Sequence, residues 1–147
     1  MKILLLLFVV AVLIVVYFFF QGRRSASLPV TVVAGEALPA CGSRPNCVRS
    51  EPGTKESHRI DPLPSLPIAS VAAAVESIGG VVQSQDDELL HASFTSGVFG
   101  FVDDLWLRRD GEDWQVRSSS RVGYSDMGAN RKRVERLAAA LTKNASQ

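Results

Sequence analysis

The sequence predicts an α+β fold: a two-layer antiparallel sheet of about four strands with two helices on one face, behind an N-terminal apolar helix. Three observations carry that expectation. Apolar residues recur at helical spacing in two segments that bracket the carboxyl-terminal half. Four strand-like runs lie between them. The last two runs are joined by Asp110-Gly111, a dipeptide suited to a tight hairpin.

Residues Ile3 to Phe20 form an unbroken apolar run of eighteen positions, with Lys2 before it and Arg23 and Arg24 after it. At about 1.5 Å per residue this spans roughly 27 Å, close to a hydrocarbon core of ~30 Å. A cleaved signal peptide is the rival, with Ser25-Ala26-Ser27 as a weak cleavage site. Signal cores usually run about 7–15 residues, whereas this one is longer and ends in Tyr17-Phe18-Phe19-Phe20, a sequence suited to an interface. An uncleaved signal-anchor over residues 1–24 is expected, in the cell (inner) membrane.

Residues 25–60 read as a tether interrupted by Pro29, Pro39, Pro45 and Pro52, with a short edge strand conceivable at Pro29–Ala34. Cys41 and Cys47 are the chain's only cysteines. A metal site would need further ligands, and only His58 and His91 remain to supply them; no metal or cofactor is expected. The spacing is not Cys-x-x-Cys. A disulfide is expected, which places the soluble domain on the non-cytoplasmic side. The basic residues give mixed signals on orientation, since Lys2 favours a cytoplasmic start and Arg23, Arg24, Arg44 and Arg49 a cytoplasmic domain.

The globular domain is expected over 61–147. Its first helix covers about Leu66 to Ile78, with Ser65 at its start and Gly79-Gly80 at its end. The strands cover Val81–Ser84, Glu88–Thr95, Phe101–Arg109 and Asp113–Ser119, and the last helix runs from near Gly128 to Lys143. With Asp110-Gly111 as a two-residue loop, Arg109 faces Glu112, Arg108 faces Asp113, Leu107 faces Trp114, Leu105 faces Val116 and Asp104 faces Arg117. Alternation then points Leu90, Ala92, Phe94, Leu105, Leu107, Trp114 and Val116 at the helices. His91, Ser93, Asp104, Trp106, Arg108, Gln115 and Arg117 take the other face, with Trp106 either under the tether or part of a shallow binding surface.

The candidate site is the polar stretch between the last strand and the last helix. Asp103 and Asp104 leave their strand on opposite faces, so they form no acid–base dyad. Asp103, expected opposite Ser118 on the apolar side, needs partners, and Arg121, Tyr124 and Arg133 follow. Asp104 opposite Arg117 makes an expected cross-strand ion pair. Asp126 can cap the last helix, or Asn130 if that helix starts later. Arg131, Lys132 and Arg133 lie near a helix start, where cations oppose the dipole, so something negative must answer them. Two readings stand. Asp103, Asp104, Arg117, Ser118, Ser120, Arg121, Tyr124, Asp126, Asn130 and Arg133 are either a network fastening loop and helix to the sheet, or contacts for a small anionic ligand such as a phosphate or carboxylate.

Hydrolase chemistry has less support. Neither a Gly-x-Ser-x-Gly elbow nor a histidine base near Ser118, Ser119 and Ser120 is evident, and His91 reads as a surface or satisfied histidine. Formal net charge is +1 with no basic stripe, which argues against nucleic acid. An Asn144-Ala-Ser146 sequon sits at the terminus.

Pro45-Asn46-Cys47-Val48, Phe101-Val102-Asp103-Asp104 and the run from Arg117 to Arg133 resemble the signature of the domain-of-unknown-function 1499 family, over about Cys41 to Leu141. Ser119 stands where that family's alanine is expected. The resemblance implies a bacterial-type envelope or plastid-related protein, often membrane-associated, and brings no activity, cofactor or catalytic residue. The expected role is a membrane-tethered domain that binds a small anionic group or an envelope protein. The alternatives are an envelope hydrolase acting on an ester or phosphoester, and a structural assembly component.

Overall fold

The computed structural model describes residues 2–27, 31–33 and 35–144. Of the expected Pro29–Ala34 edge strand only residues 31–33 are described, and they form no strand; the Asn144–Ser146 sequon falls largely outside the described residues. The first element, α1 (Lys2–Ala26), is one continuous helix. It is long and apolar enough to cross a membrane, with a mean hydropathy of 3.4 over its most apolar window, and none of that window is buried in the protein.

The domain is α+β, as expected, but its open antiparallel sheet has six strands. Four of them are β3 (Val81–Gln85), β4 (Leu89–Thr95), β5 (Val102–Asp110) and β6 (Asp113–Ser120). The other two come from upstream: β1 (Cys47–Arg49) and β2 (Leu63–Pro64) each pair antiparallel with a different part of β6. The order is β1-β6-β5-β4-β3, with β2 beside β6. Much of the expected tether is therefore built into the domain. Leu38, Cys47, Val48, Glu51, Thr54 and His58 are buried. Short, proline-broken pieces satisfy an otherwise open edge without showing strand periodicity, which is why they escape a pattern search.

Two helices, α2 (Ile68–Ser77) and α3 (Ala129–Asn144), cover one face. Their apolar stripes enclose Leu90, Ala92, Phe94, Leu105, Leu107, Trp114 and Val116 together with Val71, Val75, Val134, Leu137 and Leu141. Every side chain expected on the helix side is in this core. Ser65 does not cap α2, whose cap position is Pro67 with no side-chain bond; the Ser65 hydroxyl instead accepts from Arg109 Nη1 at 2.9 Å.

The β5–β6 register differs from the expected one by two residues. Asp110 pairs with Asp113, Arg109 with Trp114, Leu107 with Val116, Trp106 with Arg117, Asp104 with Ser119 and Asp103 with Ser120. Gly111 and Glu112 are the loop, and Gly111 has φ +60°. A glycine at the first central position suits a II′ turn, whereas the sequence reading put it second. The side-chain period is two, so an even shift keeps every residue on its predicted face while changing its partner.

The other face is polar yet closed. Trp106 and Arg117 are both buried. Arg117 Nε donates to Pro39 O at 3.0 Å, and Arg108 clasps Glu51 with two bonds of 3.0 and 3.1 Å. Segment 38–51 thus lies over the face that holds Trp106.

Cys41 and Cys47 form a disulfide. It ties the covering segment to β1, and closing so short a loop contributes about 2 kcal/mol. Reduction is expected to lower Tm by roughly 6–10 °C, taking the Tm response to stability for a domain of this size. Scanning calorimetry of the full chain in detergent, with and without reductant, measures it.

Candidate functional site

β-strand alternation sends the Asp103 and Asp104 side chains to opposite faces, and each builds its own cluster. On the helix face, Asp103 Oδ2 accepts from Arg133 Nη2 at 2.6 Å. Arg133 is buried with its guanidinium 4.4 Å above the Phe94 ring, and its Nη1 donates to Ser118 Oγ at 2.9 Å and to Asn130 Oδ1. Fully buried Asn130 organises the rest. It accepts from the Ser118 hydroxyl at 2.6 Å and donates to Asn46 O, Ser120 Oγ and Asp126 Oδ2 at 3.1, 3.1 and 2.7 Å.

Asp126 caps α3, accepting the amides of Gly128 at 3.0 Å and Asn130 at 2.8 Å. Asn130 is inside the helix and is not its cap. Two of the three cations at the start of α3 are answered by the protein itself: Arg133 pairs with Asp103, and Arg131 donates to the carbonyls of Arg59 and Ser57 at 2.9 and 3.3 Å. Tyr124, expected among these contacts, is exposed and has no hydrogen bond among the described residues.

On the opposite face, the expected Asp104–Arg117 ion pair is absent. Asp104 is fully buried and is gripped at both oxygens by Arg121, with Nη2 to Oδ1 at 2.7 Å and Nε to Oδ2 at 2.8 Å. His91 Nε2 lies 2.8 Å from Oδ1, its ring stacked on Trp106 at 4.0 Å between centroids. Burial pushes the Asp104 carboxyl up, but the hydrogen bonds from His91 and Arg121 and the Arg121 charge outweigh it and hold the group below its ordinary 3.8. Arg117 sits opposite Trp106. Burial lowers its pKa, with Arg49 adding to the effect and Asp104 opposing it. Its nearest side-chain partner is the Ser119 hydroxyl at 2.5 Å.

This cluster also holds the end of α1. Arg121 Nη1 donates to the carbonyls of Ser25 and Ala26 at 3.2 and 3.0 Å. The buried Ser25 hydroxyl donates to Gly22 O at 2.6 Å and accepts from the Val102 amide at 2.9 Å. Gly22 lies against the Phe99 carbonyl so closely that a Cβ there would sit 1.7 Å from the oxygen. The sequence marked Ser25 only as part of a weak cleavage site and did not point to Gly22. Asn46 was legible only as part of the Pro45–Val48 block.

Beside the cluster lies a cleft of about 470 Å³, lined by Ala26 from α1, Gln83 and Ser84 from β3, His91, Ser93 and Thr95 from β4, and Val102 and Arg121. Its rim is rich in donors. The carboxylate beneath it is already occupied by Arg121 and His91. No serine hydroxyl bonds His91 among the described residues: Ser93 Oγ accepts from Gln83 at 2.9 Å, and Ser118 and Ser120 belong to the Asn130 network. No group of three or more metal-ligating side chains occurs among the described residues.

The profile of a family described as "Protein of unknown function (DUF1499)" matches residues 37–141, from the segment that covers Trp106 to the end of the α3 stripe. No curated protein matches the chain.

Two predictions test the clusters. Asn130→Ala strands buried polar partners on β6 and α3 and the Asn46 carbonyl, and is expected to cost more than about 2 kcal/mol in urea unfolding followed by tryptophan fluorescence. Asp104→Asn is expected to be less stable than the wild type at neutral pH. A depressed carboxyl contributes stability that is present above its unfolded pKa and is lost as pH falls through the folded one. The gap between the two proteins therefore narrows below pH 3.8.

Proposed function

The chain belongs to the DUF1499 family, whose description assigns no activity, and from its geometry we propose a membrane-anchored, non-catalytic binding domain. It takes a small anionic, acceptor-rich group, a phosphate or carboxylate, in the cleft at the carboxyl end of α1. The observation that carries this reading is the cleft itself. In it a member of the polar 117–133 segment, Arg121, lines open space beside the uncharged donors Gln83, Ser84, Ser93 and Thr95. Ser118, Ser120, Asp126, Asn130 and Arg133 are committed within the protein and Tyr124 stands exposed without a hydrogen bond among the described residues, so the anion contacts proposed for the segment reduce to Arg121 and its neighbours on β3 and β4.

An uncleaved α1 in the cell membrane is part of the proposal. The weak cleavage site contains Ser25, whose hydroxyl supports the β5 backbone, and Arg121 holds the carbonyls on either side of the Ser25–Ala26 bond. Signal cleavage there would remove groups the domain uses. The disulfide supports a position outside the cytoplasm.

The test is a thermal-shift titration of the full chain in detergent micelles with inorganic phosphate, glycerol phosphate and acetate. At a ligand concentration about ten times Kd, stabilisation of ~1.4 kcal/mol is expected. It should be lost in a Gln83→Leu/Ser93→Ala variant, which spares the buried cluster. No shift with any anion, or one that survives the double variant, discards the proposal.

A further inference from the structure

The end of the sheet that receives α1 differs sharply from the opposite end. The antiparallel order brings the start of β3, the end of β4, the start of β5 and the end of β6 together there. Outside α1, five large apolar side chains are exposed among the described residues: Val33, Val81, Val98, Tyr124 and Met127. Four belong to this end. Val81 opens β3, Val98 lies in the β4–β5 loop, and Tyr124 and Met127 lie between β6 and α3. At the far end the two turns carry Asp86, Asp87 and Glu88, and Asp110, Glu112 and Asp113.

α1 sets a depth for the apolar end. The Phe99 carbonyl rests on Gly22, and the Phe99 ring reaches back to Phe18, 5.4 Å between centroids, with Phe101 6.4 Å from the same ring. Phe18 lies inside the apolar run, five residues before Arg23. At 1.5 Å per helical residue that is about 7 Å to the hydrocarbon side of the first cation, the depth at which interfacial apolar groups are buried.

We propose that this end is a second membrane contact: Val98 and Phe99 of the β4–β5 loop, with Tyr124 and Met127 of the β6–α3 segment, seat in the headgroup–acyl boundary of the bilayer that α1 crosses. It rests on the anchored reading of α1, and not on occupancy of the cleft. Lipid is the occupant because the Val98–Phe99 loop packs on a helix whose apolar window the rest of the chain leaves exposed, and because the acidic turns Asp86–Glu88 and Asp110–Asp113 lie at the other end. Presentation is built in. Met127 is 91% exposed with φ +53°, held there by Ser125 Oγ accepting its amide at 3.2 Å and by the Asp126 cap that follows. Val98 is 81% and Tyr124 72% exposed.

The experiment uses the full chain in phosphatidylcholine vesicles containing doxyl-labelled phosphatidylcholine. Val98→Cys, Met127→Cys and, as the far-end reference, Glu112→Cys each carry an environment-sensitive fluorophore, and Leu13→Cys in α1 reports the anchor separately. Labels at positions 98 and 127 should be quenched several-fold more by doxyl groups near the acyl carbonyls than the label at 112, and protected from aqueous iodide. Equal iodide quenching at 98, 127 and 112, with Leu13 still quenched by deep doxyl groups, overturns the contact and leaves the anchor intact. Iodide protection without lipid quenching means a protein covers the patch and also overturns it. Quenching at 98 alone overturns the two-loop seat. Loss of quenching at Leu13 removes the anchored reading and this proposal with it.

Discussion

Two neighbouring carboxylates on one strand hold this molecule together. Alternation along β5 sends Asp103 toward the helices and Asp104 toward the covered polar face, and a buried charge must find a partner. Each finds an arginine from the chain that follows β6. Arg133 brings α3 onto the sheet, and Arg121 brings the turn after β6 against the end of α1. A single dipeptide thus fixes both sides of the domain, with Phe94, Asn130 and Ser118 completing one cluster and His91, Trp106 and Ser25 touching the other. A buried ion pair contributes less net stability than its distance suggests, because both ions lose water. Its effect is specificity: few other arrangements leave both acids neutralised.

This division explains why a stretch so dense in arginine, serine and asparagine offers so little chemistry. Donors and acceptors that face each other inside a protein are unavailable to a substrate. Ser118 donates to Asn130, Ser120 accepts from it, and Arg133 spends both terminal nitrogens on neighbours. Where the sheet's polar face emerges beside α1, Arg121 and the β3 and β4 side chains line a cleft.

Periodicity made the core legible. Two helical stripes and four alternating runs placed Leu90, Ala92, Phe94, Leu105, Leu107, Trp114 and Val116 correctly on the helix side, because burial on one face leaves its period in the sequence, while Val48 and Leu63 of the core were missed. Turn chemistry was read less well: Asp-Gly was placed at the two centres of the turn, while the chain uses its glycine at the first. Faces survived this and pairs did not, so Arg117 was assigned to Asp104 while Arg121, four residues on, reaches it. The edge strands β1 and β2 were missed for another reason. Three- and two-residue strands carry no period; the prolines around β1 read as a tether and those around β2 as punctuation before the first helix. Ser25 and Gly22 act through backbone contacts made only after α1 meets the β4–β5 loop, and residue type alone does not announce that.

The Gly22–Phe99 contact leaves no slack between helix and domain. Bilayers differ in thickness, and a transmembrane helix accommodates the mismatch by leaning. With a flexible stalk such leaning would stop at the surface. On the anchored reading proposed for α1, the helix ends inside the fold, so α1 and the sheet would lean as one lever, turning changes in lipid composition into a change of angle between the cleft and the plane of the membrane.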